Sequence, residues 1–160
     1  MENLFDQATL NVTLRLFVAL ILGMVIGIER VWAHKTAGMR TYALVSMGSA
    51  LFVIVSEIIA ARYVEFGGFD ASRIASQIIV GIGFLGAGSI MLQGSRISGL
   101  TTASGFWVTA GIGMTVGFGL FDIAFIATIL ALFIFVVLWF VEDKLRNTKF
   151  FQDKEPEETN

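Results

Sequence analysis

LFDIAFIATILALFIFVVLWFV, residues 120–141, carries one charged residue, Asp122, has no glycine, and is bulky and apolar on every face. About 20 such residues are enough to cross a bilayer core of ~30 Å as a helix. A helix that is apolar all round belongs against lipid, here at the periphery of a bundle. The rest of the chain agrees: 56% of its 160 residues are hydrophobic and 15% charged, with a mean hydropathy of +0.79. That is the composition of a membrane protein. At about 20 residues per span, the length accommodates five or six helices and no second folded unit.

Outward from this run, further apolar stretches fall at about 10–28, 41–61, 73–92 and 100–119, bounded by charged or glycine-containing connectors. With 121–141 they make five expected spans, an all-α polytopic domain over residues 1–145. Around Asp122, GFGLFD leaves only a tight turn between the last two. The remainder, 146–160, contains NTKFFQDKEPEETN with Pro156 and three glutamates, and is expected to be disordered. The start, MENLFDQATLNVTLR, has two acids and no base before Arg15, unlike the charged start of a signal peptide, so the first apolar run is expected to be retained.

Five spans put the termini on opposite sides. Arg30, Lys35, Arg40, Arg96, Lys144, Arg146, Lys149 and Lys154 fall on one side, Arg62 and Arg73 on the other. The positive-inside rule then predicts an outside N-terminus and a cytoplasmic C-terminus, with Trp32 and Trp139 near the cytoplasmic interface. A net charge of −2 leaves no basic surplus for nucleic acid. The absence of cysteine excludes disulfides, thiolate metal sites and a cysteine nucleophile.

Glycines mark where helices should pack. In the fourth span Thr101, Gly105, Thr109, Gly113 and Gly117 recur every four residues, and Gly23 and Gly27 give one further copy in the first. Such small-xxx-small series allow close backbone approach, within the chain or between copies; a homo-oligomer, with a dimer favoured, is expected. In the third span Asp70, Arg73, Gln77, Gly81, Phe84 and Gly88 share one stripe, while Gly83 and Gly86 lie opposite, which places that helix at the centre of the bundle. Asp70 suits a helix N-cap and Arg73 could snorkel to the headgroups, but Gln77 lies a turn deeper and needs a partner.

Arg15 and Glu29 stand near the two ends of the first span, about 40° apart around its axis. Arg15 either snorkels or turns inward to Glu57 or Asp70 at the outer side. Asp70, Arg73, Gln77, Arg15 and Glu57 thus form the candidate polar site. Glu29 and Arg30, with Arg40 as a possible partner, read as a cytoplasmic charge cluster that fixes helix ends.

LFVALILGMVIGIERVW at 16–32, KTAGMRT at 35–41, DASRIASQIIVGIGFLGAGSI at 70–90 and GLTTASGFWVTAGIGMTVG at 99–117 closely resemble the membrane domain of the MgtC/SapB proteins of bacterial inner membranes. The resemblance runs from about residue 14 to 120. It implies a five-helix membrane domain, an inner-membrane location, and an association with magnesium limitation and virulence. It further implies either Mg²⁺ transport or regulation of membrane complexes, including the proton-driven ATP synthase. The signature positions it marks are Glu29, Arg30, Arg40, Thr41, Asp70, Arg73, Gln77, glycines 81, 83, 86 and 88, Thr101, Thr102 and Trp107. Ala71 departs from it, standing where many relatives have proline, and the soluble C-terminal domain of several members has no counterpart in these residues.

No enzyme constellation is evident. His34, the only histidine, has no triad spacing and reads as a loop residue, and GIGFLGAG imitates a nucleotide fingerprint without the preceding strand. No cofactor is expected, with Mg²⁺ possible as ligand or cargo. Mg²⁺ dehydrates reluctantly and usually takes one or two carboxylates in near-octahedral geometry. Glu57, Glu65, Asp70 and Asp122 sit toward the outer side and Glu29 toward the inner, leaving no acid at mid-membrane. The residues therefore favour a modulator that docks partner helices over a cation channel, the alternative being a transporter with its path along the third helix.

Overall fold

The computed structural model describes residues 6–62 and 72–146. α1 spans Gln7–Trp32, α2 Met39–Arg62, α3 Ser72–Ser89 and α4 Leu100–Gly117. α5, Phe121–Phe133, runs through a π-helical turn at Ile134–Leu138 into α6, Trp139–Arg146, as one rod. The molecule is an all-α membrane protein apart from one small hairpin, β1 Met91–Gln93 and β2 Arg96–Ser98. α1, α2 and the α5–α6 rod are each long and apolar enough to cross a membrane.

The ends of the helices follow from local chemistry. The Asp6 carboxylate accepts from the Gln7 N–H at 2.8 Å and starts α1. At its other end Lys35 N–H donates to the Arg30 carbonyl and His34 N–H to that of Val31, a Schellman closure. The residue that turns left-handed to make it is His34, with φ 54°. α4 ends the same way: Leu120 N–H reaches the Thr115 carbonyl, Gly119 N–H that of Val116, and Gly119 has φ 77°.

The third apolar run does not stay helical to residue 92 as its composition predicts. Ser89 Oγ donates to the Gly86 carbonyl at 2.7 Å, Ile90 N–H reaches back only to Ala87, and the chain leaves the helix. It then folds over a two-residue turn whose first residue, Gly94, has φ 62°, as a type II′ hairpin requires. Gly99, with φ 91°, closes the hairpin so tightly that a Cβ there would collide with the Ser89 carbonyl oxygen.

α4 occupies the centre and touches α1, α2, α3 and α5. Its buried face is Thr102, Gly105, Phe106, Thr109, Ala110, Ile112, Gly113, Val116 and Gly117. A Cβ on Gly113 would strike the Ser46 carbonyl of α2, and one on Gly117 would meet Val53 Cβ at 2.8 Å and the Ala50 carbonyl at 2.9 Å. α1 approaches α2 in the same manner, since a Cβ on Gly23 would lie 2.5 Å from the Tyr42 carbonyl and one on Gly27 2.5 Å from Met39 Cα. The small-residue series is thus a contact within the chain, except for Thr101, which is exposed while its neighbour Thr102 turns inward.

α3 is not the central helix. It contributes only Ile82 to the buried apolar core, and a Cβ on Gly81, Gly83 or Gly88 would meet nothing within 4 Å. Gly86 alone faces a neighbour, at ordinary contact distance from Ala103. Glycines on two faces of a helix permit close approach without compelling it, and α4 has the wider small face for the centre. The exposed exterior is apolar, with Phe84, Ile126 and Ile129 projecting outward, as a lipid-facing surface should.

Replacing Gly113 with Leu should cost ~3 kcal/mol or more in detergent, because backbone rather than a movable side chain blocks the space. Gly83→Leu should stay within ~0.5 kcal/mol of the parent or exceed it, its site being open. Thermal unfolding of the two purified variants checks the contrast.

Candidate functional site

In the first half of α1, Arg15 turns in toward the bundle. Its Nη1 donates to Glu57 Oε2 of α2 at 2.9 Å and to the Gly117 carbonyl of α4 at 2.7 Å. That carbonyl belongs to the last turn of α4, at the negative end of the helix dipole, where a cation is favoured. The guanidinium lies beside Gly119, where a Cβ would stand at ordinary contact distance from it, 3.5 Å from Nη2. Arg15 therefore joins α1, α2 and the end of α4. The pair keeps access to the exterior, with 23% of the Arg15 side chain and 39% of Glu57 exposed.

Of the two partners expected for Arg15, the structure supplies Glu57; Asp70 lies outside the described residues. Arg73 and Gln77 stand on α3 with exposed side chains, and neither forms a hydrogen bond or ion pair with Arg15 or Glu57. Gln77 lines an open groove between α2 and α3 and has no hydrogen-bond partner among the described residues. The expected five-residue site is thus gathered only as Arg15 with Glu57.

A second polar centre lies at the opposite end of α1. Glu29 and Arg30 are buried inside the protein, and Arg30 is only 2% exposed. Arg30 Nε bonds Glu29 Oε2, and the guanidinium sits over the Phe135 ring, 3.7 Å from its centroid. Phe135 comes from the π-helical turn of the rod. Gly105 makes the space, for a Cβ there would meet Tyr42 Oη at 2.5 Å and Phe135 Cζ at 3.1 Å. Tyr42 in turn packs on Phe106 with ring centroids 5.1 Å apart and reaches toward the Thr102 carbonyl at 3.5 Å.

Arg40 does not join this centre. It stands exposed on the first turn of α2 and forms no ion pair among the described residues. The reason is directional: Arg30 points into the space between α1, α4 and the rod, whereas Arg40 faces outward. Tyr42, Thr102 and Phe135 escaped the reading of the sequence as members of a polar centre. A tyrosine in a membrane helix was the available signal, since a buried phenol usually finds a partner. Nothing in the apolar run 120–141 marks Phe135 as the ring beneath an arginine.

Chemically, both centres are arginine–carboxylate pairs in which donors outnumber acceptors. Arg15 Nε and Arg30 Nη1 are buried without a partner. Among the described residues no three of His, Cys, Asp and Glu converge as a metal site. Removing one member of a buried pair strands the other, at ~3–5 kcal/mol. Arg30→Met should therefore unfold at much lower temperature than the parent, and adding Glu29→Gln should recover most of the loss. Arg40→Gln should change little, and thermal melts of the four proteins in detergent check this.

The sequence model of the MgtC family matches residues 16–144. The chain is 40% identical over 144 residues to "Putative magnesium transporter YhiD" of Escherichia coli (strain K12), covering 89% of this chain and 67% of that protein. It is 45% identical over 119 residues to Protein MgtC of Salmonella typhimurium (strain LT2), covering 74% of this chain and 48% of that one. A Synechocystis protein, slr0014, is 44% identical over 121 residues, with the same two shares. The chain thus spans about two thirds of the first relative and about half of the other two. No solved structure matches. Both polar centres and the glycine contacts at α4 fall inside the matched region, and the chain belongs to the MgtC family.

Proposed function

We propose that the chain is a five-span inner-membrane protein of Mg²⁺ homeostasis that modulates a membrane complex rather than carrying the ion. The observation that supports this most directly is the closed interior. α4 lies against the backbone of α2 along Gly113 and Gly117, and among the described residues the charged groups within the bundle are the neutralised pairs Arg15–Glu57 and Glu29–Arg30. At each of these two centres the carboxylate is already held by a guanidinium, and among the described residues no cluster of acids offers Mg²⁺ a set of ligands. The membership in a magnesium-related family supports the process; the exposed apolar faces of α3 and the rod offer surfaces to partner helices, the ATP synthase being one complex the family resemblance proposes.

The five-span reading has support in geometry. α3 and α4, at 18 residues each, reach ~27 Å, close to the hydrocarbon thickness. In α4 the glycines and threonines Gly105, Thr109, Gly113 and Gly117 face other helices instead of lipid. The positive-inside bias supports an outer N-terminus and a cytoplasmic C-terminus. The second reading, transport of Mg²⁺ along α3, draws on the name of the YhiD relative and on the groove beside Gln77.

A reporter fused after residue 150 should be active only in the cytoplasm, and activity confined to the periplasm would overturn the orientation. Purified protein in liposomes loaded with a Mg²⁺-sensitive dye should give no flux above protein-free liposomes, while the gene supports growth in low Mg²⁺. Asp70→Asn, which would still cap a helix, should keep expression and membrane insertion yet lose that growth support. Flux that the substitution abolishes would establish the transporter instead.

A further inference from the structure

Between α2 and α3 the bundle leaves a groove of about 660 Å³, open at its side. Its walls are apolar, with Leu44 and Phe52 from α2 and Ile78 and Leu85 from α3. Two glycines keep it clear: Gly48 and Gly81 both line it, and a Cβ on either would touch nothing within 4 Å. From Arg40 to Phe52 it follows α2 for twelve residues, ~18 Å, close to the depth of one leaflet, ~15 Å, and well short of a whole bilayer. A transmembrane helix from a partner would need the full thickness; a single acyl chain needs what is present.

Among the described residues that line the groove, Arg40 is the one charged side chain. It stands at the first turn of α2, where a helix emerges toward the headgroups. Lys35, just before α2, and Arg96, in the hairpin that follows α3, lie at the same end of the bundle, since α2 begins where α3 finishes. All three side chains are exposed, and none forms an ion pair among the described residues. The acid nearest in sequence, Glu29, is already taken by Arg30. Basic positions at the interfacial mouth of a cleft between membrane helices are the arrangement that holds acidic lipid headgroups.

We propose that this groove binds an anionic phospholipid, with one acyl chain between α2 and α3 and the headgroup phosphate on Arg40. The site is independent of the modulator reading and of the side of the membrane on which Arg40 emerges. It gives Gly48 and Gly81 a purpose that helix packing within the chain does not, and it accounts for a cation that joins neither polar centre.

The test uses the full chain, purified in detergent, stripped of lipid and titrated with phosphatidylglycerol or with phosphatidylcholine of the same acyl chains. Bound lipid is counted by native mass spectrometry. Phosphatidylglycerol should bind about fivefold more tightly, the worth of one basic residue near an acidic headgroup, and excess inorganic phosphate should not displace it. Arg40→Gln should erase the difference between the two lipids, weakening phosphatidylglycerol more than phosphatidylcholine, whose own quaternary ammonium already offsets its phosphate. Gly48→Leu with Gly81→Leu should lose both lipids at an unaltered melting temperature. A preference for phosphatidylglycerol that survives Arg40→Gln overturns the proposal. So does lipid retained by the filled variant, and if that variant also changes oligomeric state the groove belongs to a second copy of the chain. Should the filled variant fold poorly, the Arg40→Gln comparison decides alone.

Discussion

The approach of α4 to the backbone of α2 is the constraint on which the rest of the bundle depends. In lipid there is no hydrophobic force to press two apolar helices together, so their association rests on close packing and on polar contacts. Gly113 and Gly117 supply the first by letting α4 lie on the carbonyls of Ser46 and Ala50. Once α4 is so placed, Gly105 faces Tyr42 and leaves the cavity into which Phe135 inserts. The end of α4 likewise presents its Gly117 carbonyl to Arg15. Both polar centres are consequences of where one helix comes to rest.

The two arginines solve the same difficulty in different surroundings. Arg15, at a helix end with partial access to the exterior, satisfies an orphan carbonyl and a carboxylate from another helix. Arg30, with almost no access, has only its chain neighbour Glu29 and the face of an aromatic ring. Desolvating a guanidinium is costly, and a cation over a ring recovers part of that cost where water is absent. The Glu29–Arg30 pair therefore depends on the position of the rod, whereas the Arg15–Glu57 pair depends on α2 and α4.

Much of this was legible in the chain. The apolar runs gave the helices, and the four-residue recurrence of Gly105, Thr109, Gly113 and Gly117 gave the contact face of α4, because spacing alone fixes which side a residue takes. Glu57 was foreseeable as a partner for Arg15 from depth and sign. What failed was the ranking of helices: glycines on α3 and α4 look alike in the sequence, and only the shapes of the neighbours decide which set is covered. The hairpin was missed because apolar composition masks Gly94-Ser95, a two-residue turn between short alternating stretches. Burial of Arg30 was missed because a charge at the end of a span ordinarily goes to the interface, and the ring that draws it inward comes from more than a hundred residues away.

The π-helical turn at Ile134–Leu138 divides the last rod into two mechanically unlike parts. Before it, Ala124, Thr128 and Ala131 are buried against the bundle; beyond it, every residue from Val136 to Leu145 is exposed. A wider turn admits one residue more than an α-helical turn and so ends the register that kept a single face inward. The segment from Val136 to Leu145 buries no apolar side chain against the bundle, while the part before Phe135 is held there. A bilayer thicker or thinner than the bundle can thus be accommodated by swinging this one arm, leaving the spacing of the other helices as it was.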